Sequence, residues 1–282
     1  MELVADTNVW YDIGAGRRNP LILKSGGNRV IATPTSFLEI ASGIEERTLG
    51  ERTAAAKAVL AHADDIADDS ESHLRRLWGL PASVSFPWIE GFKAIAQSAS
   101  VSQLQTGVDD LDERVRRTLD VPLAALWRTH HWKDFADKVT DAIDQHCPGY
   151  KAARLQGRYI YLKHDDAKAF AEIMRSDEIR EFVIRSTFIR AQLENDGVRE
   201  STKDEYLQAG PLLTPYADAY IEYVIGCATG QFAPQVNDLG DSECFLYLQN
   251  DRKFLSSDVR WAKIARRACP LWIHDPENKV AE

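Results

Sequence analysis

The sequence predicts an α/β fold: three α/β/α layers around a central parallel sheet, interrupted by a large all-α insertion. Three observations predict it. Short apolar runs near both ends of the 282-residue chain pass directly into helix-start chemistry. Strand and helix alternate at both ends, as parallel sheets require, and the long middle carries only helical spacing.

The first element lies in "LVADTNVW", residues 3–10. Leu3-Val4-Ala5 reads as a strand, Asp6-Thr7-Asn8 offers N-cap groups, and Val9 to Ile13 opens a helix. Residues 14–27, with Gly14, Gly16, Pro20, Gly26 and Gly27, read as a loop. Arg29-Val30-Ile31-Ala32 is a second strand, and Thr33-Pro34-Thr35-Ser36 leads it into a helix through Phe37-Leu38-Glu39-Ile40.

From about Glu51 to Ala209 the spacing is helical throughout, with helices expected over 52–66, 108–119, 124–143, 165–175 and 176–193. Helices at 215–225 and 241–248, a strand at Lys253-Phe254-Leu255-Ser256, a helix at 258–267 and a last strand at Leu271-Trp272-Ile273 follow. The division expected is residues 1–48 for the first part of the α/β core, 49–210 for the helical insertion, and 211–282 for the second part of the core.

At 44% hydrophobic the chain can build a core of ordinary size, and a net charge of −9 argues against holding nucleic acid by bulk electrostatics. Cys147, Cys227, Cys244 and Cys269 form no CxxC pair and read as buried thiols rather than a zinc site or disulfide framework. The absence of a leader pattern and of a spanning apolar stretch predicts a cytoplasmic protein with no membrane partner.

In parallel sheets ligands gather beyond the carboxyl ends of the strands. Asp6 and Asp258 each follow a strand, Glu39 lies on the helix after the second strand, and Asp241 opens the helix before Lys253. Taken singly, capping explains Asp6, Asp241 and Asp258, and a solvated helix acid explains Glu39. Taken together, four carboxylates at one sheet edge repel one another unless hard cations such as Mg²⁺ or Mn²⁺ neutralise them. A paired-ion site suits hydrolysis of a phosphodiester, where one ion activates water and the other stabilises the leaving oxygen.

These residues resemble the PIN domain, a metal-dependent nuclease family of bacterial toxin ribonucleases and RNA-processing factors. The resemblance is carried by "VADTNVW", "PTSFLEIASG", "NDLGDSECFLYL" and "KFLSSDVRWAKIA", the last with Ser256 and Asp258 like the family's hydroxyl-x-Asp. It covers residues 1–48 and 211–282, and the long middle departs from the compact toxin nucleases. The resemblance implies a five-strand parallel sheet, Mg²⁺ or Mn²⁺ in an acidic pocket, and single-stranded RNA as substrate of an endoribonuclease. It leaves room for a regulatory protein or antitoxin and for a homo-oligomer.

Asp6, Glu39, Asp241 and Asp258 would then be the catalytic metal ligands, with Asp238, one turn earlier, as rival to Asp241. Thr7 or Asn8 would orient Asp6, and Ser256 or Ser257 would orient Asp258; local capping is an equal explanation for all four.

Within "YKAARLQGRYIYLK", Lys151, Arg154, Arg158 and Lys163 interleave with Tyr150, Tyr159 and Tyr161 as in nucleic-acid-binding segments, although a solvated helix explains them more simply. Arg114, Arg116, Arg117, Arg180, Arg185 and Arg190 admit the same two readings, with a solvated face the safer one. His130, His131, His164, Asp165 and Asp166 are sequence neighbours that point apart on a helix and read as surface residues.

Two other functions fit less well. A metal-dependent phosphatase of the haloacid-dehalogenase type needs a second acid where Asn8 stands. A catalytically inert PIN-like scaffold, binding RNA or protein, has no need of four acids.

Overall fold

The computed structural model describes residues 1–80, 87–108, 113–120, 132–158, 160–193, 210–235, 238–249 and 252–268. Four parallel strands form one sheet: β1 (Glu2–Ala5), β2 (Arg29–Ala32), β3 (Asp65–Ile66) and β4 (Lys253–Leu255), in the order β3-β2-β1-β4. Val4 stands opposite Ile31 on one side and Phe254 on the other, so the first strand and the last described strand are neighbours although 250 residues separate them. The two ends of the chain thus share one sheet. The last strand expected, residues 271–273, lies outside the described residues.

Strand periodicity explains the layers, because alternate side chains leave opposite faces. Leu3, Ala5, Val30, Ala32 and Leu255 enter one apolar core, whereas Val4 and Phe254 enter another. The first core is closed by the helices Thr7–Gly14, Pro34–Ala41, Glu46–His62, Trp88–Gln97, Val101–Val108 and Glu113–Asp120. The second is closed by Ser70–Leu77, Trp132–His146, Tyr150–Leu155, His164–Met174, Asp177–Leu193, Thr214–Ala228 and Val259–Ala268, with the 3-10 turn Cys244–Tyr247.

The segment 49–210 therefore contributes helices to both faces of the sheet. Its expected start falls inside the helix Glu46–His62, which packs on Thr7–Gly14. The fit is close: a Cβ added to Gly14 would lie 2.7 Å from the Ala54 carbonyl carbon, so only glycine lets the two backbones approach this far.

The middle is not wholly helical. The helix expected over 52–66 ends at His62, and Asp65–Ile66 is instead the edge strand, paired with Ile31 and Ala32. A two-residue strand carries no readable period, and its conformation comes from the partner that its backbone finds. The expected loop at 14–27 likewise holds a short helix, Pro20–Leu23, opened by its proline. Among the described residues no helix is long and apolar enough to cross a membrane.

The amino edge of the sheet is closed by charge pairs. Glu2 takes Arg29 at 2.9 Å and Arg252 at 2.7 Å. The carboxyl edge receives acids instead.

Candidate active site

Asp6 directly follows β1, and its backbone N–H donates to the Leu255 carbonyl at 2.9 Å, so the sheet ladder itself sets where the side chain starts. It occupies the N-cap position of Thr7–Gly14, yet its carboxylate makes no capping bond to that helix. Its Oδ2 instead accepts from the Ser256 hydroxyl at 2.6 Å and from the Asn8 amide at 3.3 Å. The carboxylate is 3% exposed, and burial raises its pKa against those bonds, with the charge of Asp258 adding to the rise.

Glu39 is carried by the helix Pro34–Ala41, which starts as its sequence dictates. Thr33 caps it, accepting from the Ser36 N–H at 3.4 Å, and Pro34 occupies its first turn. Burial first, and then the charge of Asp6, push Glu39 up to about 7; the Thr7 hydroxyl and Arg52 act in the opposite direction. Asp241, on Asp238–Glu243, is pushed well above the usual carboxylate range by burial and then by Glu39 and Asp6.

Asp258 follows β4, and its Oδ1 caps the helix Val259–Ala268, accepting from the N–H groups of Arg260 at 2.7 Å and Trp261 at 3.2 Å. Here the capping explanation holds, and it occupies one oxygen of the pair. A neutral reporter lies in the same place: burial pushes the Cys244 thiol up, and the charges of Asp6, Asp241 and Glu39 push it further.

The structure thus brings Asp6, Glu39 and Asp241 within reach of one another's charge, and Asp258 within reach of Asp6 and Glu39. It does not close a cage, since among the described residues no three His, Cys, Asp or Glu side chains are grouped to hold one ion. The donor chemistry fits Mg²⁺ even so, because that ion is commonly held by one or two carboxylates with water completing its shell.

Asp238 lies at the margin of this group: its charge reaches Asp241, but its own carboxylate is engaged elsewhere. It is 0% exposed, accepting from the Tyr223 hydroxyl at 2.6 Å and the Gln235 N–H at 2.7 Å, and it pairs with Arg260 at 2.7 Å. Burial raises its pKa in spite of these partners. The two acids differ in surroundings: Asp238 is fully enclosed, whereas the charges of Glu39 and Asp6 act on Asp241.

The orienting residues differ from expectation. Ser256 bonds Asp6 rather than the Asp258 carboxylate, and accepts the Asp258 N–H at 2.9 Å. Ser257 accepts from Arg18 at 3.0 Å. The Asn8 amide donates to Asp6, whereas the Thr7 hydroxyl donates to Ser36 at 3.3 Å and lies beside Glu39. Sequence reasoning missed Arg52, Arg260 and Trp261. The last two sit in the first turn of the helix that Asp258 caps, which was the one available sign.

The basic segment is largely tied into the protein. Lys151 pairs with Asp141 at 2.5 Å, Arg154 donates to the Pro234 carbonyl at 3.2 Å, and Arg158 bonds Gln156. Tyr150 is 2% exposed, which removes it as a stacking platform; Lys163 is exposed, immediately before His164–Met174. Arg180 joins Asp218 and Asp177, and Arg116 joins Glu113. His164 and Asp165 are on the surface as expected. Tyr159, His130, His131, Cys269 and the side chains of Arg114, Arg117 and Arg190 lie outside what is described.

The raised carboxyls predict how stability follows pH. Glu39 titrates near 4.5 when unfolded and about 7 when folded, so the native state binds the extra proton between those values. Stability is therefore full below about 4.5 and is lost as pH rises through about 7. Urea unfolding without divalent cations should show a fall on the order of 2 kcal/mol from pH 5 to pH 8, and Glu39→Gln should flatten it. An unchanged slope in that variant would refute the assignment. Asp12 acts oppositely at lower pH: against burial, its bonds to Ser257 and Arg17 hold it below 3.8, and its contribution is lost in acid.

Compared with known proteins, the chain is matched by no family model, and no curated protein or solved structure shows significant similarity to it.

Proposed function

We propose that this chain is a PIN-like nuclease that hydrolyses phosphodiester bonds in single-stranded RNA with Mg²⁺ or Mn²⁺. One observation carries the reading: acids from four distant segments gather at the carboxyl edge of a parallel sheet, where burial and neighbouring carboxylate charge raise the pKa of Asp6, Glu39 and Asp241. A resting cluster of that kind is an unfavourable arrangement that a hard dication would relieve.

Asp6, Glu39 and Asp241 would hold the metal, with Asp258 contributing the oxygen that does not cap its helix. When bound, the metal supplies Lewis acidity at the phosphate and lowers the pKa of the attacking water. Ser256 and Asn8 hold Oδ2 of Asp6 in place, so that its second oxygen is presented in a fixed direction. Asn8 donates to Asp6 where a phosphatase would need a second acid, which favours the diester over the monoester reading.

The inert-scaffold reading has one observation in its favour, the absence of a closed three-ligand group among the described residues. Labelled single-stranded RNA incubated with Mn²⁺ decides between the two. Internal cleavage that EDTA abolishes is the expected result. Intact RNA, with no Mn²⁺ bound in calorimetric titration, would overturn the nuclease reading, and release of phosphate from p-nitrophenyl phosphate alone would replace it with the phosphatase.

A further inference from the structure

We propose that Trp261 and Arg260 are positioning residues for Asp241: together they fix its Oδ2, leaving its other oxygen for the acid pocket. The inference rests on the reading of Asp241 as a site acid.

The Trp261 indole Nε1–H donates to Asp241 Oδ2 at 2.7 Å, and an Arg260 nitrogen approaches the same oxygen at 3.4 Å. The first is a well-formed hydrogen bond, and the second is long enough to act mainly through charge. Both donors are held from behind. Trp261 is 1% exposed and lies nearly parallel to Tyr223, at 7° with centroids 5.6 Å apart. The Arg260 guanidinium is anchored on the fully buried Asp238 at 2.7 Å and passes over the Trp261 ring at 5.6 Å.

Asp238 and Asp241 lie three residues apart on one helical face, which lets a single planar fork serve both carboxylates. Asp238 itself is held by the Tyr223 hydroxyl, so the same tyrosine supports the indole by stacking and the guanidinium through its counter-charge. The buried acid that sequence reasoning offered as a metal ligand thus becomes the anchor of the residue beside the ligand.

Trp261→Phe removes the N–H donor without changing charge, and Arg260→Lys keeps the charge while losing the fork. Titration of the full chain with Mn²⁺, followed by calorimetry, should show affinity about tenfold weaker than wild type in each variant, as loss of groups that orient metal ligands does, with the urea midpoint falling far less in Arg260→Lys. Wild-type affinity in both variants overturns the positioning role and leaves the metal site standing. Tighter binding in Arg260→Gln with no loss in Arg260→Lys would also overturn it, by showing that Arg260 acts only as a charge. If the wild-type chain binds no Mn²⁺, the nuclease reading falls and this inference falls with it. Should Trp261→Phe not fold, Arg260→Lys alone decides.

Discussion

Asp6→Asn is expected to lower metal-dependent RNA cleavage by about 10²-fold or more, because ligation of a Lewis-acidic metal contributes several kcal/mol to the barrier and each 1.36 kcal/mol is tenfold in rate. The fold should survive. The carboxylate is buried and its ionised form is disfavoured by burial and by Asp258, so a neutral amide of the same shape relieves an existing cost. The Ser256 hydroxyl, 2.6 Å from Oδ2 in the wild type, can still donate to the asparagine carbonyl. The diagnostic result is therefore lost cleavage with an equal or higher denaturation midpoint. Full activity in Asp6→Asn would remove the acid from the chemistry.

The second large effect is expected in the apolar core behind the acids. Phe37→Ala should destabilise the protein by about 3–5 kcal/mol, the usual range for deleting a buried aromatic side chain. Phe37 is 0% exposed and meets Trp88 and Phe92 edge to face, at centroid distances of 5.2 and 5.1 Å. Its ring fills the space above Gly91, where an added Cβ would stand 2.3 Å from a ring carbon. These partners all belong to the helix Trp88–Gln97 in the middle of the chain, whereas Phe37 shares its own helix with Glu39. The middle of the chain thus holds one of the four acids in place. Urea unfolding measures the loss, and a cost below about 1 kcal/mol would show that this contact supports little.

The sequence was most legible where structure is local. Thr33-Pro34 announced the start of the Glu39 helix, and a capping bond from Thr33 is found there. The unbroken apolar run Leu3-Val4-Ala5 was legible as a strand, and its residues enter the two cores alternately. The order of strands and acids along the chain is what led to the expectation of four carboxylates at one edge.

Ser256 shows the limit. Its hydroxyl had equal local reasons to serve Asp258, two residues away, and its strongest bond is to Asp6, 250 residues away. Asp238 and Asp241 were indistinguishable for the same reason, since residues three apart on a helix present one face.

What the sequence determined by itself is the set of helices and strands with a clear period, their α/β order, and the acids that follow strands, because these depend on neighbours within a few residues. Only the tertiary structure decided that 65–66 is a strand, that Asp238 is enclosed, and that Arg260 and Trp261 attend Asp241. Those outcomes depend on burial and on partners distant in the chain, and a residue's environment is created when the sheet and its two cores close around it.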